Sequence, residues 1–254
     1  MKIKSKVIDK NLCISCGLCT LNNSAKLKIK RGIYIPKFIK ELTLEEDDYL
    51  YNICPGKGYA ILKTSEALFK RNDVIYNNKI GYYKSIGAAY SSDKDFLINS
   101  SSGGMMPTIA WYLLNNKLVD GILTVKFIYT PEGPKPEPFI AKTKKELISS
   151  QGSKYLPIPL LNNIDLIKTF KGKLAVIGTP CQIAGLRLLQ EKNKEINEKV
   201  KFTIANFCGG FRNYRETERI FKIFNVNRNK ITNFSYRVNG QPGTMSIKQD
   251  NKYL

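Results

Sequence analysis

Cys13, Cys16 and Cys19 are spaced at every third position in the run CISCGLC, and Cys54 follows further along with Pro55 behind it. Such spacing lets one tight loop aim three thiolates at a single cubane while a distant Cys-Pro completes the cage, as in bacterial ferredoxin-type [4Fe–4S] sites. Gly17 suits a backbone wrapped closely round a cluster, because it tolerates dihedrals that other residues avoid. Zinc is the rival ligand, since CxxC pairs also build tetrahedral sites, although these usually come as two separated pairs. The three-plus-one pattern favours iron–sulfur, and with it electron transfer.

Three further elements could hold a ligand. Ser100-Ser101-Ser102-Gly103-Gly104 precedes an apolar helical run containing Trp111, Gly178-Thr179-Pro180-Cys181-Gln182 follows the apolar run KLAVIG, and Asn206-Phe207-Cys208-Gly209-Gly210 follows KFTIANF. All fall at predicted strand-to-helix junctions, where open α/β sheets collect ligands beside helix N-termini. Small residues and hydroxyls suit a phosphate, but neither GxGxxG nor GxxxxGK[ST] is present. A capped helix start accounts equally for the first element, and Thr179 with Pro180 reads as an ordinary helix entry. Cys181 at a helix N-terminus is placed where the dipole favours thiolate, while either it or Cys208 reads equally as a buried small hydrophobe.

Elements must then position these residues. Residues 1 to 65 read as a small cluster-binding module. In it KLKIKRGIYIPKF is expected as two short strands turning at Arg31-Gly32, and ELTLEEDDYLYNICP as a helix whose Glu45, Glu46, Asp47 and Asp48 read as a solvated face, with a metal site the lesser alternative. Residues 66 to 85 read as a polar connector. From Ile86 onward apolar runs of strand length alternate with helical patterns, the α/β signature. IGAAYS, VDGILTVKF, KLAVIG and KFTIANF are the expected strands. GGMMPTIAWYLLNN, TPCQIAGLRLLQEKN and RNYRETERIFKIF are the expected helices, and the proline-rich PEGPKPEPF is expected as an exposed loop or hairpin end.

At 254 residues the chain has room for a small and a medium unit with a real core. No apolar stretch approaches the roughly 18 residues of a bilayer span, and the basic start MKIKSKVIDKNLC has no apolar signal region. Clustered cysteines without a secretion signal point to a reducing cytoplasm. The formal charge of +20 favours anionic partners, whether phosphate-bearing cofactors or acidic redox proteins. Charge alone meets only the first criterion for nucleic-acid binding, and no compact basic block or nucleic-acid motif accompanies it. The absence of histidine excludes His-dependent triads, His metal ligands and imidazole shuttles.

SSGGMMPTIAWYLLNNKLVDGIL, QGSKY, GTPCQIAGLRLL, NFCGGFR and YRVNGQPGTM, in this order, resemble the coenzyme F420 hydrogenase/dehydrogenase beta-subunit family. The resemblance implies an α/β fold: a small N-terminal ferredoxin-like [4Fe–4S] module, then an α/β sandwich flavin-binding domain over residues 86–254. It also implies an FAD- and iron–sulfur-dependent oxidoreductase passing electrons between a [4Fe–4S] cluster, FAD and a two-electron acceptor such as coenzyme F420. Carried over by motif, Cys13, Cys16, Cys19 and Cys54 are the cluster ligands. Ser102, Gly103, Gly104 and Thr108 form one wall of the flavin site and Gly152, Ser153, Lys154 and Tyr155 a second, with Lys154 a phosphate partner. Thr179, Pro180 and Gln182 complete it. Many relatives continue into a further cysteine pair that, with the counterparts of Cys181 and Cys208, holds a second cluster. This sequence ends at QDNKYL before such a pair and without a closing helix or strand signal, so it reads as a single-cluster form or a truncated chain. Implied partners are ferredoxin or hydrogenase/dehydrogenase subunits. The alternatives are a non-catalytic electron-transfer subunit docking on a separate redox partner and a zinc-bearing binding protein.

Overall fold

The computed structural model describes residues 1–69, 73–238, 240, 243–250 and 252–254. The chain opens with a tight helical turn, Lys4–Ile8, and a cysteine-bearing loop that ends in a 3-10 turn, Leu18–Asn23. Strands β1 (Ala25–Lys30) and β2 (Ile33–Phe38) then pair antiparallel about Arg31-Gly32, as the sequence predicts. Helix α1 (Leu44–Ile53) starts from a capping box in which Thr43 and Glu46 satisfy each other's amides. Its acidic run is not the uniformly solvated face expected. Asp47 is buried, and its carboxylate accepts the backbone N–H groups of Lys2 and Ile3.

Helix α2 (Ile61–Phe69) runs across residue 65, and β3 (Ile75–Asn77) pairs with β4 (Gly81–Tyr83) where a plain connector was expected. Polar composition concealed this hairpin. It is held by Tyr76 against Tyr82, ring centroids 4.9 Å apart, and by the Asn77 side chain accepting from the Lys79 amide.

The larger unit begins with α3 (Lys94–Ile98) and α4 (Met105–Asn115). IGAAYS is not a strand: residues 86–90 are exposed and irregular, packed under the Gly103 turn. Strand β5 (Gly121–Thr130) turns into β6 (Gly133–Ala141), so the proline-rich segment is a strand and not a loop. The reason is positional. Pro134, Pro136 and Pro138 share one register, facing Tyr129, Phe127 and Val125, so the missing N–H groups all point away from β5 at a sheet edge. Helices α5 (Lys144–Ser150) and α6 (Ile164–Thr169) lead to β7 (Leu174–Gly178), α7 (Pro180–Lys192), α8 (Lys194–Lys199) and β8 (Val200–Ala205).

These strands form one sheet in the order β6-β5-β7-β8, with β5, β7 and β8 parallel. Alternation along β5 and β7 separates two cores. Ile122 and Ala175 face α4, α5 and Phe96, whereas Leu123, Leu174 and Val176 face α6, α7 and the cysteine-bearing module. Helix α9 (Tyr214–Ile223) follows. The chain then closes with β9 (Ile231–Val238), β10 (Thr244–Gln249) and β11 (Lys252–Tyr253), an antiparallel sheet in the order β11-β10-β9. Its Phe234 and Tyr236 pack with Phe127 and Phe221 in a third, aromatic core. The closing strand β11 corrects the expectation of an end without a strand. Asn239, Gln241 and Pro242 of YRVNGQPGTM lie outside the described residues.

Candidate functional site

Cys13, Cys16, Cys19 and Cys54 line one cavity, together with Ile3, Val7, Ile14, Leu18, Leu27, Tyr34, Pro36 and Leu50. Among the described residues no group of three or more His, Cys, Asp or Glu side chains is gathered closely enough to hold a single metal ion. The four thiols stand instead around a space, and their wall is almost wholly apolar. Gly17 has φ +95°, the left-handed conformation expected for a loop that curls round a ligand. Ser15 donates to the Tyr34 carbonyl at 2.8 Å, tying the loop to β2.

Burial pushes all four thiols up from their ordinary range, Cys16 and Cys19 most, with neighbouring thiols adding to the effect at Cys16, Cys19 and Cys54. A cage that penalises four thiolates without a cation is one that a cationic iron–sulfur core would relieve. The chemistry of the donor set, four buried thiols lining one apolar cavity, therefore fits a cluster.

The cavity sits against α7. The Leu161 amide donates to the Cys16 carbonyl at 2.8 Å, and a Cβ on Gly17 would come within 2.4 Å of the Asn162 nitrogen. The first turn of α7 is close enough that Cys181 adds to the upward push on Cys16. Thr179 and Pro180 enter this helix as the sequence predicts. The Gln182 side chain accepts from the Thr179 amide at 3.0 Å and donates to the Ile158 carbonyl at 2.7 Å. Thr179 Oγ1 lies 3.2 Å from Cys181 Sγ. Cys208 is exposed, and its sulfur accepts the Gly210 amide at 3.4 Å.

The serine-glycine element is not the serine-capped helix start it resembles. Gly104, in the left-handed region at φ +72°, is the residue ahead of α4. The serines reach instead to the segment after α5: Gln151 Nε2 donates to Ser100 Oγ at 2.6 Å, and the Ser153 amide donates to Ser101 Oγ at 3.1 Å. The first two candidate walls thus meet through side chains. Thr108 Oγ1 bonds Ser91 Oγ at 2.7 Å and the Gly104 carbonyl at 2.9 Å, while Ser102 is exposed.

Lys154 directs its ammonium at the carbonyls of Ser150, Gln151 and Gly152, at 2.8, 3.2 and 3.1 Å, with the Phe127 ring 5.5 Å away. Burial holds its pKa down to about 8. Tyr155 packs edge-on against Tyr236, and a hydrogen bond with Ser153 holds its phenol below the ordinary range. Beside Gly152, at φ +83°, a Cβ would meet nothing within 4 Å.

Gln151 was missed as a site residue, although it opens QGSKY. Its amide nitrogen also donates to the Phe96 carbonyl at 2.8 Å, while its buried Oε1 has no partner. An acceptor left open between the two walls is what a donor-bearing ligand would fill. Those walls accordingly fit a hydrogen-bonding cofactor.

Two family models, for the N-terminal and the C-terminal parts of the coenzyme F420 hydrogenase/dehydrogenase beta subunit, match residues 86–165 and 171–253 respectively. Among curated relatives, the chain is 26% identical over 188 residues to a coenzyme F420 hydrogenase subunit beta of Methanosarcina barkeri, covering 68% of this chain and 64% of the relative. It is 24% identical over 272 aligned residues to a coenzyme F420-dependent sulfite reductase of Methanocaldococcus jannaschii, covering 96% of this chain and 39% of that protein. The chain thus spans between about two fifths and two thirds of the length of these relatives. A chain of the F420-reducing [NiFe] hydrogenase complex from Methanosarcina barkeri shares the fold, with TM-score 0.52 and 22% identity over 70% of this chain and 62% of that one. Among the described residues, no helix is long and apolar enough to cross a membrane.

Proposed function

This chain belongs to the coenzyme F420 hydrogenase/dehydrogenase beta-subunit family, and on that premise we propose that it is an iron–sulfur flavoprotein that passes electrons between a [4Fe–4S] cluster, FAD and a two-electron acceptor such as coenzyme F420. One observation carries the reading: four cysteines separated by as many as 41 positions converge on one apolar cavity beside the first turn of α7. A cluster exchanges single electrons and a flavin one or two, which is the chemistry the pair supplies when bound.

The chain's own residues supply the setting. Cys13, Cys16, Cys19 and Cys54 hold the cluster. Ile3, Val7, Leu18, Leu27 and Leu50 keep water from it. Ser102, Gly103, Gly104, Thr108, Gly152, Ser153, Lys154, Tyr155, Thr179, Pro180 and Gln182 frame the flavin, with Gln151 offering its open acceptor. Lys154 fixes the 150–152 turn through its three carbonyls.

One relative is itself named as a subunit, which favours a second reading as an electron-transfer subunit acting with a separate catalytic partner. An anaerobic absorption spectrum with iron, sulfide and released-flavin assays tests the first reading. About four irons, four sulfides and one FAD per chain support it. Zinc in place of iron, with no flavin, overturns it. Flavin and iron with negligible F420 turnover by the isolated chain supports the second.

A further inference from the structure

The β1–β2 hairpin has two unlike faces. Leu27, Tyr34 and Pro36 line the cysteine cavity. The register places Lys26 opposite Lys37, Lys28 opposite Ile35 and Lys30 opposite Ile33, so these six residues share the other face. All four lysines are exposed, and Ile33 and Ile35 are half-exposed between them. None of the four has an acidic partner among the described residues. No Asp or Glu occurs between Asp9 and Glu41, a stretch that also carries Lys10, Arg31 and Lys40.

An exposed strand ordinarily mixes charges or pairs them across the ladder. Here Lys26 and Lys37 stand directly opposite, an arrangement that is unfavourable in the free protein and that a carboxylate surface would relieve. The face therefore has an apolar centre and a lysine rim, the layout of a protein interface more than of a nucleic-acid groove. It lies one strand's thickness from the candidate cluster.

We propose that this face of the β1–β2 hairpin is the docking surface for an acidic one-electron carrier protein. The proposal rests on the redox reading above and names the partner for its cluster. Each encounter passes one electron. Two encounters oxidise two carriers, or in the other direction reduce two, and so match the two electrons of one hydride, whose proton exchanges with solvent.

The test uses the full chain, a purified acidic ferredoxin carrying a single [2Fe–2S] cluster, and titration calorimetry at low and high salt. Lys26→Gln, Lys28→Gln, Lys30→Gln and Lys37→Gln are combined. A control of equal charge loss combines Lys79→Gln, Lys145→Gln, Lys171→Gln and Lys201→Gln. The expected result is affinity that falls with salt, a loss on the order of tenfold or more for the hairpin variant, and a much smaller loss for the control. Equal losses in the two variants, no ferredoxin binding by the parent chain, or tighter binding of duplex DNA or anionic vesicles would each overturn the proposal. Iron and flavin assays on the same samples separate the two levels. Lysine-dependent docking by a cluster-free chain sinks the redox reading alone, whereas a loaded chain indifferent to these lysines sinks the docking surface alone.

Discussion

Gly185 of α7 lies against Pro55, the residue behind the fourth cysteine: a Cβ built on Gly185 would stand 3.0 Å from Pro55 Cγ and 2.9 Å from Leu18 Cδ1. The sequence displays this glycine as a weakness inside a helix. In the structure it is one of the places where the cysteine-bearing module and the sheet-bearing unit are in close contact, next to Leu18 and Pro55, which adjoin Cys19 and Cys54.

Replacing Gly in a helix by Ala ordinarily stabilises by about 1 kcal/mol. Gly185→Ala is expected to lose that gain, and Gly185→Leu to destabilise by about 1–3 kcal/mol through overpacking. Urea unfolding with iron determination reads both effects. Full stability and full iron in the leucine variant would show that the two units do not meet here.

Cys54→Ser removes the one proposed ligand outside the tight loop. Iron and acid-labile sulfide per chain are expected to fall by more than half, with loss of the visible absorption of the cluster. Cys181→Ser and Cys208→Ser are expected to retain both. An equal loss in the Cys181 variant would place that thiol among the ligands.

Gln151→Leu keeps the bulk of the side chain but leaves the Phe96 carbonyl and Ser100 hydroxyl without their donor. It should cost about 1–3 kcal/mol and reduce the FAD retained on gel filtration. Ser101→Ala, which deprives the Ser153 amide of its acceptor, should act in the same direction. Flavin retained at parental levels in both variants would detach these segments from the cofactor.

Lys154 gives a pH test. Its folded pKa of about 8 lies below the unfolded 10.5, so the native state loses the proton first. Between those values the unfolded chain binds more protons, and stability rises with pH. The penalty is fully present below about pH 8 and disappears above about 10.5. Relative to Lys154→Met, which carries no such charge, the parent should gain up to about 3 kcal/mol across that window. Denaturant midpoints of both proteins at pH 7.5 and pH 10 check it. A constant difference would mean that Lys154 is solvated.

The sequence made the cysteine module legible because its signals are local. CISCGLC, the Arg31-Gly32 turn and the Thr43 cap each depend on residues a few positions apart. Strands β5, β7 and β8 were legible for the same reason, as short apolar runs followed by turn residues. PEGPKPEPF misled, because proline forbids a central strand but not an edge, and position in a sheet is a tertiary fact. Asp47 misled because its partners are backbone amides 45 and 44 residues earlier, which no pattern records. The serines before α4 misled similarly: a serine ahead of a helix suggests a cap, but these bond the 151–153 segment some 50 residues away. What the sequence hid was mostly long-range pairing of polar groups.

The three alternate prolines of β6 give the main sheet a polarity of growth. On that margin their rings replace the amide hydrogens an incoming strand would need, so neither a second copy nor an unfolding neighbour can extend the sheet there. The opposite margin, β8, carries ordinary amides with no strand beyond it among the described residues. Strand addition to the main sheet, and the aggregation that follows from it, is therefore confined to its β8 margin.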